Sequence, residues 1–230
     1  MKLLYTIICY FYSIIFSLFE KFLYKKNNQI NKNFYLFNDL KFNKINFNKF
    51  KKKKKNYLEK IIFPEKKIYS LINDIFIKNG LSKKITSVTG FKYTISFFNA
   101  YKIYKIDSKD IKKNIYANHF HKDKPYSNNM IKIIFSFNEI TENDGPMQIK
   151  SDKLQNICLK EDEIFLFYPS KIFHRATSPK NGVRFQMMFQ LNPSAKWQIN
   201  TDIYSKQKYI EPKFPFFSYF FDKKKLLINN

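Results

Sequence analysis

From Phe91 onward the chain is a succession of short aromatic and β-branched runs: "FKYTISFF", "IKIIFSF", "EIFLFY", "KIFHRA" and "VRFQMMFQL". Turn-forming clusters separate them, among them "DKPYSNN", "ENDGP" and "SPKNG". Runs this short, with this composition and this punctuation, read as strands. Several of them in close succession restrict the chain to a sandwich or barrel, with jelly rolls and cupins among the candidates. The 230 residues suit one domain with extra elements, and an apolar content of 44% is enough for a real core. Ahead of the strands, Pro64 opens "PEKKIYSLINDIFIKNG", where Ile68, Leu71, Ile72, Ile75 and Phe76 form a helical stripe. Pro64 suits the first turn and Gly80 the stop. The expected fold is mainly β with N-terminal helices.

The N-terminus carries 17 uncharged residues, Leu3 to Phe19, between Lys2 and Glu20-Lys21. As a helix this run is about 25 Å long, at the short edge of a membrane span. It reads either as a membrane anchor, with the lysine-rich remainder cytoplasmic, or as a buried or interfacial amphipathic helix. Residues 27–60 are rich in Asn, Lys and Phe, and Lys51 to Lys55 are consecutive. Such a run attracts anionic lipid, but a solvated loop is the simpler reading.

The net charge of +24 invites a nucleic-acid reading, but its make-up argues against one. Lys, Asn, Ile, Phe and Tyr, all with A/T-rich codons, dominate. Of 42 basic residues only Arg175 and Arg184 are arginine, and base readout favours forked arginines over point charges. No nucleic-acid partner is expected. Cys9 and Cys158 are far apart and match no metal or disulfide pattern.

Against that background the rare residues stand out. The chain has three histidines: His119 and His121 in "ANHFHKDKPY", and His174 in "KIFHRATSPKNGVRF". His121 and Asp123 share strand parity and therefore a face. With His174 from another strand they make two imidazoles and a carboxylate, the set that binds Fe(II) on one side and leaves positions open. If "SPKNG" closes a tight hairpin near Lys180, His174 faces about Gln186 and Arg184 faces about Ala176. Arg184 then lies diagonally from His174 by roughly 7 Å, a suitable reach for a short dicarboxylate chelating iron at its other end.

The pattern resembles the Fe(II)/2-oxoglutarate-dependent oxygenases, in particular their phytanoyl-CoA dioxygenase-like branch. The matching pieces are His121-Lys122-Asp123, "NEITENDGPMQI", "KEDEIFLFYPS", His174 and Arg184, within about residues 89–193. The branch's proline-glycine-serine-histidine stretch is replaced here by Ile149 to Lys153. The resemblance implies a double-stranded β-helix (jelly-roll, cupin-like barrel) with His121, Asp123 and His174 as iron ligands. It implies that Arg184 binds the 2-oxoglutarate C5 carboxylate, and that Gln186, at a position where relatives often carry a hydroxyl, donates a hydrogen bond to the co-substrate. The implied chemistry converts 2-oxoglutarate and dioxygen to succinate and CO2 and hydroxylates a small-molecule, lipid or sugar substrate.

The alternatives are a cupin-type site built from His119, His121 and His174, which leaves Arg184 without a role, a non-catalytic jelly-roll protein that binds metal or ligand without turnover, and a membrane-surface adaptor acting through its basic N-terminal half. His119 is otherwise a core, supporting or substrate-contacting histidine. The expected organisation is a hydrophobic helix (1–26), a basic linker and amphipathic helix (27–88), the oxygenase domain (89–193) and a tail (194–230) containing "FPFFSYFF". The expected location is the cytoplasm, with membrane contact through residues 1–26 and a small-molecule or lipid-linked substrate.

Overall fold

The computed structural model describes residues 2–23, 32–38, 47–106, 116–123, 127–201, 203 and 224–227. The tail run "FPFFSYFF" lies outside the described residues.

Twelve strands and three α-helices make up the described chain. The helices are α1 (Lys2–Leu23), α2 (Glu65–Asn73) and α3 (Leu81–Thr89). The strands are β1 (Phe34–Phe37), β2 (Lys51–Lys55), β3 (Leu58–Ile62), β4 (Lys92–Ile103), β5 (Ile131–Ser136) and β6 (Met147–Lys150). They continue with β7 (Leu154–Ile157), β8 (Ile164–Phe167), β9 (Phe173–Ala176), β10 (Arg184–Ser194), β11 (Gln198–Asn200) and β12 (Lys224–Leu226).

The large sheet has the order β1-β8-β5-β10-β4-β11-β12, with β3 and then β2 attached at β4. The small sheet has the order β7-β6-β9, extended by an isolated bridge between His121 and His174. Along the sequence the chain alternates between them. β4 lies in the large sheet and His121 in the small one; β5 returns to the large sheet, β6 and β7 to the small, β8 to the large, β9 to the small and β10 to the large. That interleaving of antiparallel strands in two facing sheets is a jelly roll.

Strand alternation divides the apolar residues between two cores. Met187, Phe189 and Leu191 of β10, with Ile131, Ile133 and Phe135 of β5, pack under Ile68, Leu71, Ile72, Ile75, Phe76, Leu81 and Ile85. The opposite faces, through Ile134, Phe165, Phe167 and Met188, meet Ile149, Ile157 and Ile172 of the small-sheet half. The stripe after Pro64 therefore covers a sheet, as its periodicity requires. The helix is interrupted by a π-turn over Asp74–Lys78, and Gly80 separates it from α3 instead of ending the helical region.

The segment expected as a basic linker contributes three strands. The lysine run forms edge strand β2, paired residue for residue with β3. A row of lysines on a sheet edge satisfies the ladder while repelling a further strand. Helix α1 turns its one acidic residue inward: Glu20 is buried and accepts a hydrogen bond from Asn129 Nδ2 at 2.7 Å. Phe16, one turn earlier, is buried on the same side, whereas Leu4, Phe11, Leu18 and Phe22 are exposed. Among the described residues no helix is long and apolar enough to cross a membrane.

Candidate metal centre

His174 lies in β9, and His121 is held beside it by two backbone hydrogen bonds, N–H to carbonyl in each direction at 3.1 and 3.0 Å. Asp123 follows two residues later, its backbone N–H on the Pro169 carbonyl at 2.9 Å. Three backbone hydrogen bonds therefore place three side chains. The ligand atoms of His121, Asp123 and His174 all lie within 4.8 Å of one another, the only such cluster among the described residues.

Each imidazole is oriented from behind. His121 Nδ1 lies 2.7 Å from the His119 carbonyl, and His174 Nδ1 lies 3.1 Å from the Ile172 carbonyl. A carbonyl only accepts, so both Nδ1 atoms carry the proton and both Nε2 atoms present lone pairs. Those Nε2 atoms lie 3.5 Å (His121) and 3.8 Å (His174) from Asp123 Oδ1. Asp123 Oδ2 points the other way, to Lys132 Nζ at 2.5 Å. Phe167 packs edge-on against the His174 ring at 5.1 Å. Burial pushes the His174 pKa down to about 4, partly offset by the Ile172 carbonyl and the Asp123 carboxylate. The ring is neutral at ordinary pH, the state a metal ligand needs.

The carboxylate end of the predicted site is built differently from the hairpin expected above. β9 and β10 belong to different sheets. Arg184 pairs with Ile103, Gln186 with Tyr101 and Ser136, and His174 with Ile149. The connection 177–183 crosses between sheets instead of closing on itself, because its polar groups are taken up by the neighbouring loop. Thr177 Oγ1 donates to the Pro146 carbonyl at 2.6 Å, and Lys180 N–H to the Asn143 carbonyl at 2.8 Å. Arg184 still reaches back to this crossing. Its Nη1 donates to the carbonyls of Gly145 and Thr177, and Thr177 stands three residues, about 10 Å of extended chain, beyond His174.

Arg184 is buried, and its Nε has no hydrogen-bond partner. A buried guanidinium donor without an acceptor is costly, and a bound carboxylate would satisfy it. Gln186 Nε2 donates to the Tyr101 hydroxyl at 2.5 Å, both residues buried. Burial raises the Tyr101 pKa, and the Arg184 guanidinium and the Gln186 amide pull it back. Tyr101 was not singled out in the sequence, where nothing marks it among 16 tyrosines.

His119 lends the centre its carbonyl; its side chain is exposed and outside the cluster. The three-histidine arrangement of a cupin-type site is therefore not the one brought together. Arg175 faces away, its Nε on Gln148 Oε1 at 2.7 Å and its guanidinium over the Phe120 ring. Ile149, at the start of the replaced stretch, is buried and paired with His174.

No protein-family model and no curated protein matches the chain. The phytanoyl-CoA dioxygenase-like resemblance therefore stands on the motif residues alone. Among solved structures, the chain is similar to HygX from Streptomyces hygroscopicus with nickel, 2-oxoglutarate and hygromycin B bound. The identity is 10% and the TM-score 0.49, over 72% of this chain and 84% of that one. It is also similar to the non-heme alpha ketoglutarate dependent epimerase SnoN from nogalamycin biosynthesis (8%, TM-score 0.42, 60% of this chain and 62% of that one). A third is CytC3 with Fe(II) and alpha-ketoglutarate (12%, TM-score 0.39, 55% and 54%). The jelly-roll assignment rests on this chain's own strand order.

Proposed function

We propose that this protein is an Fe(II)- and 2-oxoglutarate-dependent oxygenase that hydroxylates a small organic molecule. The observation that carries the reading is the convergence of His121 Nε2, His174 Nε2 and Asp123 Oδ1 on one point, with both rings held from behind by backbone carbonyls. Two imidazoles and one carboxylate fit a ferrous ion and leave coordination positions for a chelating co-substrate and dioxygen. The orphaned Arg184 Nε supports the co-substrate half of the reading.

His121, Asp123 and His174 would hold the metal. When bound, the metal supplies dioxygen activation coupled to oxidative decarboxylation of the 2-oxo acid. The chain's own part is placement. The His119 and Ile172 carbonyls fix the ring tautomers and orientations. Lys132 holds the outer oxygen of Asp123, leaving the other for the metal. Phe167 shields the His174 ring from water. Arg184 would bind the distal carboxylate of 2-oxoglutarate as a permanent cation.

The test is succinate formation from 2-oxoglutarate by purified protein given Fe(II) and air. Turnover is expected to require Fe(II) and to vanish in His174→Ala and Asp123→Ala. Folded, metal-loaded wild-type protein that neither binds 2-oxoglutarate nor forms succinate would overturn the proposal.

A further inference from the structure

We propose that the outward face of α1 docks the protein on an anionic lipid bilayer, a role separate from the metal centre. The helix lies in the interface with its other side still packed on the barrel.

The helix is oriented against its own hydrophobicity. At roughly 100° per residue, Leu4, Ile7, Ile8, Ile15, Leu18 and Phe22 fall within an arc of roughly 100°. These side chains are 39% to 89% exposed. Phe16 and Glu20 lie on the opposite side and are buried. A helix that packs only to hide apolar surface turns such an arc to the core. Here the acid faces the barrel instead. Asn129 Nδ2 donates to Glu20 Oε2 at 2.7 Å, and the Ser127 hydroxyl and the Lys171 ammonium act on the same carboxylate. Those three groups sit on the segments leading into β5 and β9. They fix the rotation of α1 about its axis and keep the arc outward.

An exposed apolar arc of this length marks a contact surface. Charge identifies the occupant. Residues 3–19 carry no charge, and lysines flank them: Lys2 before, then Lys21, Lys25 and Lys26 after. The one acid at that boundary, Glu20, is withdrawn into the barrel, while Lys21 is exposed. A coiled-coil partner would use charged residues beside the seam to set its register, and residues 3–19 supply none. An apolar face bordered by lysine, on a chain of net charge +24, fits acyl chains beneath anionic headgroups.

The experiment is co-sedimentation of the full chain with phosphatidylcholine vesicles, with and without about one-third phosphatidylserine, at low salt and at about 0.5 M salt. Wild type is expected to bind the phosphatidylserine vesicles about tenfold more tightly than phosphatidylcholine alone, and less tightly as salt rises. Leu18→Glu puts a charge within the arc, and Ser17→Glu puts the same charge one residue away, off the arc. Both positions are exposed, so both variants are expected to keep the wild-type circular dichroism and Tm. Leu18→Glu is expected to lower vesicle affinity about thirtyfold and Ser17→Glu no more than about threefold. Equal losses in the two folded variants overturn the proposal, as does wild-type protein that binds neither vesicle at low salt. A wild-type dimer that binds no vesicles and that Leu18→Glu dissociates in sedimentation velocity overturns it too, and assigns the arc to a second copy of the chain.

Discussion

Lys132 Nζ lies 2.5 Å from Asp123 Oδ2, while Asp123 Oδ1 faces the two imidazoles. One carboxylate is thus divided between a lysine of the large sheet and a histidine pair of the small one. The lysine also places a positive charge beside the point where a divalent cation would bind. Lys132→Met removes that charge and keeps most of the stem volume. Mn(II) affinity is expected to fall about tenfold, because losing the partner that orients Asp123 outweighs relief of the lysine's repulsion. Calorimetric titration of wild type and variant at one ionic strength checks the direction.

The neutral state of His174 gives the metal-free protein a pH dependence of defined sign. Its folded pKa is depressed from 6.5 to about 4. The ring's contribution to stability is therefore fully present above pH 6.5 and is lost as pH falls toward 4. The loss is on the order of 3 kcal/mol at most for a shift of this size. Metal-free wild-type protein is expected to show a falling Tm across that window, and His174→Phe a flatter profile.

Gly145 couples the fold to the carboxylate end of the site. Its φ is +70°, and a Cβ there would lie 2.5 Å from Pro179 N and 2.7 Å from the Thr177 carbonyl oxygen. Those atoms belong to the crossing between sheets, and the Gly145 carbonyl accepts from Arg184. Gly145→Ala is expected to cost about 2–4 kcal/mol in chemical denaturation, from the strained φ and the displaced backbone together. The same variant is expected to lose 2-oxoglutarate affinity more than Mn(II) affinity.

The inward-facing acid of α1 makes a separate prediction. The buried Glu20 carboxylate is held by Asn129 Nδ2, 2.7 Å from Oε2, together with the Ser127 hydroxyl. Asn129→Ala removes that donor from a buried carboxylate and is expected to cost about 1–3 kcal/mol. Faster limited proteolysis within residues 2–23, with Mn(II) binding intact, is the accompanying sign that α1 has loosened from the barrel.

Much of the centre was legible because histidine and arginine are rare in this chain, so their clustering carried information. His121 and Asp123 lie close together although Asp123 is not in a strand, and parity does not say which sheet a strand joins. The expected pairing of His174 with Gln186 failed for that reason: seven residues that look like a hairpin loop instead cross between sheets, tied down by Thr177 and Lys180. β2 was illegible because five lysines have no strand signature, and only pairing with β3 makes them one. Tyr101 became visible only through its register with Gln186.

The central claim is that His121, Asp123 and His174 form one metal site. Its most direct measurement is the stoichiometry and affinity of Mn(II) binding to wild type, Asp123→Ala and His174→Ala, each first shown to be folded by circular dichroism. One high-affinity ion per wild-type chain, with affinity lost by about a hundredfold or more in each variant, is the expected result. Unchanged affinity in either folded variant would contradict the assignment.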